Sequence, residues 1–356
     1  MATDQSLSDE DVRGMVEELE PEWRVDQHRL IEHGTDFVAM VTADTPVGET
    51  QAVLKAATAD HVPPSAATLE PRFMRIAGSE TSVPVPTVYA CCENHDAYPT
   101  PFFLTAYVEG ENYENRVGEL SPEMKARIVS AAGQHLAAIH ELGRAPGVGR
   151  LGYRDGEIRP VEPTDDDLLE HTLTSAEETL STLDSGGYFP DLAEEPERFA
   201  DLVDPLQSYL RETIPELPTP DPPRYCHADY RYGNLLVDSE TGETNAVLDW
   251  GLISGQEPAH NLAFTECMLL DRQRDGDERT AELRSLFRRA YSEARGGWVF
   301  DDHRRERMAV YRLLYRINAM ACLPLWWSES EERTAREAAH RAFVDQYLES
   351  EMKEAE

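Results

Sequence analysis

Only three of the 33 basic residues are lysines, Lys55, Lys125 and Lys353, and they stand against 68 aspartates and glutamates. No segment offers the stripe of Lys and Arg that phosphate backbones require, so nucleic acid is excluded as a partner. Five cysteines, at 91, 92, 226, 267 and 322, fall at no metal-ligand spacing. They read as small apolar side chains in a reducing cytoplasm. No apolar run approaches the roughly 20 residues that span a bilayer, so no membrane partner is expected. The opening stretch MATDQSLSDEDV is acidic and polar, unlike a secretory leader, and a cytoplasmic location is the expectation.

What is present is acid, and it is dispersed. The net charge is −35 over 356 residues, with acidic side chains along the whole chain rather than in one tail. Such a surface suits molar salt, where the Debye length falls to about 3 Å and self-repulsion is screened. A surface for a basic partner is the competing reading. The hydrophobic content of 40% is that of a globular protein, and the length calls for two lobes.

The first part of the chain alternates short apolar runs with turn residues. RLIEH, FVAMVTAD and QAVLKA read as three antiparallel strands, AATLEPRFMRIAG as a helix despite Pro71, and VPVPTVYACCE and PFFLTAYVEG as two more strands. The fold class is therefore α+β: a five-stranded antiparallel sheet with one helix over residues 1–110, then a larger, mostly α-helical lobe over 111–356. Ser121-Pro122-Glu123 has the form of a helix start. Ile128, Ala132, Leu136 and Ile139 then share one face, and Gly143 follows as a stop. Between 155 and 201 there are 15 acids and two arginines, which reads as an acidic helical insert extending to about residue 215.

The stretch HADYRYGNLLVDSETGETNAVLDWG, from His227 to Gly251, concentrates the chemistry. LLVD and NAVLD are strand-like and flank a turn containing Gly242. Folding that hairpin, 234–251, brings Asn234 beside Asp249 at its open end. Two oxygen donors suit Mg²⁺, which takes only one or two ligands from protein and the rest from phosphates and water. Asp229, on the loop 227–234 that leads into the hairpin, is placed to accept a proton from a substrate hydroxyl. These are the parts of a phosphoryl-transfer site. The phosphates need a cation, and Lys55 in the apolar strand AVLKA is the lysine available in the N-terminal lobe. Glu70 is the carboxylate that would hold it.

Taken together, His227-Ala228-Asp229, Asn234 and Asp249-Trp250-Gly251 resemble the H-[GA]-D-x₄-N … D-[WF] pattern of the aminoglycoside phosphotransferase family, small-molecule kinases with a protein-kinase-like fold. The resemblance covers roughly residues 25–270. It implies Asp229 as catalytic base and Asn234 and Asp249 as Mg²⁺ ligands. Arg231, two residues after the base, has two readings: a pair with nearby carboxylates, or a contact to the γ-phosphate in the transition state. The resemblance implies Lys55 on the ATP phosphates with Glu70 as its helix partner. The backbones of Ala106 and Val108 would hold adenine, and Gly34 in HGTDF would close over the phosphates. ATP and Mg²⁺ are the implied cofactors. Ala228 stands where Gly is commoner, and Asn261 in HNLAF stands where the family usually has Asp.

No long activation segment or A-P-E triplet follows Gly251, which argues against a peptide substrate. A small hydroxylated metabolite is the expected acceptor. HADYRYGN looks closest to a family branch that includes domains fused to acyl-CoA dehydrogenases, acting on hydroxyacyl-CoA substrates. The alternative is a catalytically silent nucleotide-binding regulator of the same fold. The four residues Lys55, Asp229, Asn234 and Asp249 are all present, which favours an enzyme.

Overall fold

A computed structural model describes residues 7–31, 35–59, 62–162, 167–270, 278–327 and 330–354. In chain order its elements are α1 (Asp9–Leu19), β1 (Arg24–Leu30), β2 (Phe37–Thr45), β3 (Gly48–Ala56), α2 (Pro64–Glu80), β4 (Val88–Cys92), β5 (Phe102–Ala106), α3 (Pro122–Glu141), β6 (Gly149–Arg154) and β7 (Glu157–Pro160). Next come α4 (Leu168–Leu180), α5 (Ala200–Thr213), β8 (Arg224–His227), β9 (Leu235–Val237), β10 (Thr244–Val247), β11 (Ile253–Gln256), α6 (Pro258–Leu270), α7 (Glu278–Ala294), α8 (Asp302–Trp326) and α9 (Ser330–Glu354). They fall into two compact units. One draws on the described residues up to 162, on Pro223–Gln256 and on Met268–Trp298; the other draws on 167–222, Glu257–Cys267 and the residues from Val299 onward.

In the first unit, β1-β2-β3-β5-β4 form a fully antiparallel sheet of five strands, the architecture expected from the alternating apolar pattern. Alternation turns Ala52, Leu54 and Ala56 of β3 into the core, where they join Phe102 and Leu104 of β5. A second helix, α1, also covers this sheet, and the sequence reading did not contain it. Its start is a capping box: Ser8 Oγ accepts from Asp11 N at 3.2 Å, and the Asp11 carboxylate accepts from Ser8 N at 2.8 Å. Val12, Met15 and Val16 bury its apolar face in the same core. The acidity of the segment conceals three apolar residues at helical spacing.

The helix α2 runs through Pro71. A proline within a helix forfeits one backbone hydrogen bond, and the buried face carrying Leu69, Glu70, Phe73 and Met74 holds α2 in place nevertheless. The helix α3 begins as its sequence indicates, with Ser121 Oγ accepting from Met124 N at 3.2 Å. Its Ile128, Ala132, Leu136 and Ile139 are fully buried. A four-stranded sheet, β7-β6-β11-β8, and the two-stranded β9–β10 hairpin complete the strand framework of this unit.

The second unit is helical. It buries an ion pair: Arg307 Nε donates to Glu257 Oε1 at 2.9 Å, with both side chains about 98% buried. The Tyr311 hydroxyl donates to the same oxygen, and Asp221 N donates to Glu257 Oε2 at 3.1 Å. Each oxygen of the buried carboxylate is thus met by a donor.

Candidate active site

Lys55 lies on β3 opposite Val38 and Phe103, and its side chain leaves the sheet toward α2. Nζ meets both Glu70 oxygens at 2.8 Å, Asp36 Oδ2 at 3.4 Å and Asp249 Oδ1 at 3.7 Å. Burial by itself would lower the lysine's affinity for its proton. The surrounding carboxylates, Glu70 first, outweigh it and push that affinity above the ordinary lysine value. Asp36 was not singled out from the sequence. Its Oδ1 accepts from the Thr58 and Ala59 amides at 3.1 and 3.2 Å, fastening the start of β2 to the end of β3 while Oδ2 faces Lys55. Gly34 lies outside the described residues.

The residues of the loop 227–234 converge on Asp229. Arg231 Nε donates to both of its oxygens at 3.0 Å, and Asn234 Nδ2 donates to its Oδ2 and its backbone carbonyl at 2.8 Å. Burial opposes the Arg231 charge, but Asp229 and Glu114 more than restore it. His227 is fully buried, stands edge-on to Trp250 with ring centroids 4.9 Å apart, and its Nε2–H donates to Leu248 O at 3.0 Å. It shapes the loop from below. Tyr230, equally buried, shares a 2.7 Å hydrogen bond with His135 of α3.

The hairpin does what its sequence indicates. Leu235 pairs with Val247, and Leu248 N donates to Asn234 O at 2.8 Å, so Asn234 and Asp249 flank its open end. Asp249 adopts φ 59°, ψ 65°, a left-handed conformation that few non-glycine residues hold and that turns its carboxylate back toward Lys55. Burial would raise that carboxyl, yet Lys55, His227 and Arg231 bring it below the ordinary aspartate value. It therefore stays ionised. Asn234 has spent its amide nitrogen on Asp229, which leaves Oδ1 as the atom it can offer a cation. One carboxylate and one amide oxygen fit the sparse protein share of a Mg²⁺ shell. No cluster of three or more His, Cys, Asp or Glu able to hold a metal by itself occurs among the described residues.

Ala106 ends β5 opposite Ala52, with its N–H on Thr87 O at 2.8 Å, and Val108 follows two residues later on the segment leaving the sheet. That segment runs directly over the hairpin. Gly110, at φ 155°, permits the approach, because a Cβ there would lie 2.9 to 3.0 Å from Leu236 and Val237 atoms. Lys55, Glu70, Asp229, Arg231, Asn234 and Asp249 thus meet within one compact unit. Asn261 lies buried on α6 in the other unit.

A family model described as the phosphotransferase enzyme family matches residues 27–307, most of the chain. The chain belongs to that family. Among solved structures it resembles a candidate aminoglycoside phosphotransferase from Ralstonia eutropha, at TM-score 0.60 and 17% identity over 97% of this chain and 98% of that one. It also resembles a thermostable mutant of aminoglycoside phosphotransferase APH(4)-Ia in ternary complex with ADP and hygromycin B. There the TM-score is 0.57 and the identity 15%, over 95% of this chain and 98% of that one. The protein-kinase-like α+β fold is therefore the one this phosphotransferase family member adopts.

Two curated relatives match in sequence. Acyl-CoA dehydrogenase family member 10 of Mus musculus is 27% identical over 226 residues, 62% of this chain and 18% of that protein. A probable acyl-CoA dehydrogenase of Arabidopsis thaliana is 25% identical over 200 residues, 55% of this chain and 22% of that protein. The chain thus spans about a fifth of the length of each. No helix among the described residues is long and apolar enough to cross a membrane.

Proposed function

We propose that this family member is a small-molecule kinase that moves the γ-phosphate of Mg-ATP to a hydroxyl of a small metabolite. The observation that carries the reading is the meeting of Lys55, Asp229, Asn234 and Asp249 in one unit, each held by partners that suit its role. Lys55, kept charged by Glu70, binds the phosphates of the nucleotide. The Ala106 and Val108 backbones receive the base. Asp229 orients the acceptor hydroxyl and takes its proton as the oxygen attacks phosphorus. Arg231 donates to the transferring phosphoryl group. Mg²⁺, held by Asn234 and Asp249, would neutralise phosphate charge.

The acceptor is proposed as a hydroxylated metabolite, with hydroxyacyl-CoA compounds first in order because both curated relatives are named acyl-CoA dehydrogenases. The acidic surface is proposed as an adaptation to molar salt in a cytoplasmic protein. The test is ADP release from Mg-ATP in molar KCl across hydroxyacyl-CoAs, sugars, amino alcohols and one aminoglycoside, with GTP run beside ATP. Asp229→Asn is expected to bind nucleotide as the wild type does and to turn over slower by orders of magnitude. Equal turnover would remove Asp229 from the mechanism. Nucleotide binding without ADP release from any acceptor would make the chain a nucleotide-binding regulator instead.

A further inference from the structure

The segment that leaves β5 is tied to the catalytic loop and its hairpin at four places. Glu111 and Val237 exchange both backbone hydrogen bonds, at 2.8 and 3.0 Å. Asn245 Nδ2 donates to Glu109 O at 2.9 Å. Asn112 Nδ2 donates to Gly233 O at 2.6 Å, while its Oδ1 accepts from Glu114 N at 3.0 Å. That turn delivers the fourth tie, a 3.1 Å ion pair between Glu114 Oε1 and Arg231 Nη1. Gly233 leaves space for it: a Cβ there would lie 2.2 Å from Nη1 and 2.9 Å from Glu114 Oε2.

The Arg231 guanidinium is therefore divided among partners. Nε serves both oxygens of Asp229, Nη1 serves Glu114, and Nη2 meets no acceptor among the described residues. A guanidinium facing a single carboxylate favours two parallel N–H···O bonds. Left with Asp229 alone, Arg231 would settle into that fork and commit Nη2 to the carboxylate. Glu114 pulls from the other side and leaves Nη2 as the donor for a third anionic group.

We propose that Glu114 is a positioning residue for phosphoryl transfer. It holds Arg231 off the two-pronged fork on Asp229, so that Nη2 is kept for the transferring phosphoryl group. Because Glu114 sits on the segment that leaves the nucleotide-side strand, it also sets the arginine in register with the end of β5. This inference rests on the kinase reading above, and its test separates the two.

Steady-state ADP release would be measured on the full chain in molar KCl, with Mg-ATP varied and water or the best acceptor receiving the phosphate. The proteins are wild type, Asp229→Asn, Glu114→Gln, Glu114→Asp, Gly233→Ala, Arg231→Met and the double variant Glu114→Gln with Arg231→Met. Glu114→Gln is expected to lower kcat on the order of 10²-fold, the scale of a misplaced catalytic group, with the KM for ATP unchanged within about twofold. Glu114→Asp recovers part of the loss. Gly233→Ala reproduces the loss by pushing the pair apart while keeping both charges. In the Arg231→Met background, Glu114→Gln costs nothing further. Full kcat in Glu114→Gln, or an equal additional loss in the Arg231→Met background, overturns the positioning role. Should Glu114→Gln not fold, full kcat in Gly233→Ala overturns it as well. Wild-type ADP release no faster than that of Asp229→Asn overturns the kinase reading, and this inference with it.

Discussion

Replacing Lys55 with methionine removes the ammonium that faces Glu70, Asp36 and Asp249. Its ammonium lies 2.8 Å from Glu70 and 3.4 Å from Asp36, whose side chains are 7% and 14% exposed. At an effective dielectric near 20 those contacts are worth about 6 and 5 kcal/mol in Coulomb energy. Asp249 is more exposed and adds less. Most of this gain offsets the cost of taking the charges out of water, so the net loss on removing the lysine is about 3–5 kcal/mol, typical of a broken buried pair. The loss should depend on pH. Burial raises the Glu70 carboxyl, and Lys55 is the first charge opposing that rise. Without the lysine the folded-state value climbs further above the unfolded value of about 4.3. The folded variant then holds a proton that the unfolded chain has released, so its stability falls as pH rises through that window. Wild type shares that slope up to its own Glu70 value of about 7, so urea unfolding of Lys55→Met beside wild type, between about pH 6 and 9, should show a deficit that grows above pH 7 by up to about 1.4 kcal/mol per pH unit. Adding Glu70→Gln should recover most of it. A deficit below about 1 kcal/mol, or one equal at both ends of the pH range, would refute the reasoning.

Other expectations follow from the same contacts. Burial pushes the His135 imidazole down from 6.5 to about 4. Between those values the unfolded chain binds the extra proton, so stability should fall as pH drops through the window, by at most about 3 kcal/mol from this residue. His135→Gln should flatten that slope in urea titrations while His260 and His340, both lowered by burial to about 3, still contribute in wild type and variant alike. Arg307→Met should cost about 3–5 kcal/mol, because it leaves Glu257 buried and uncompensated. The double change with Glu257→Leu should cost less than Arg307→Met alone, as read by thermal unfolding. The net charge of −35 predicts a melting temperature that rises from dilute buffer to molar KCl. An unchanged melting temperature would count against salt adaptation.

The chemistry was legible where it is local. Asp229, Asn234 and Asp249 lie within 21 residues, and hairpin closure is a short-range event that turn and strand patterns encode. Lys55 was legible for a different reason: in a chain so poor in lysine, one inside an apolar strand stands out. The sheet, α2 and the start of α3 follow from periodicity and capping, which are also local. The helix α1 was missed because its charged residues outnumber the three apolar ones that anchor it. The strands β6, β8 and β11, read as GRLGYR, RYCH and ISGQ, show no run of alternating apolar residues, and they gain their identity by pairing in one sheet.

The sequence by itself determined the fold class, the family and the residue types of the site, because each is carried by short motifs and by the alternation of apolar side chains. Tertiary structure alone decided that Asp36 and Asp249 join Glu70 around Lys55, that Asp249 takes a left-handed turn, and that Glu114 reaches Arg231 across more than a hundred residues. Those facts depend on the directions of side chains from elements distant along the chain. No local pattern records such a direction, because it is set only when the sheet, α2 and the catalytic loop are packed against one another.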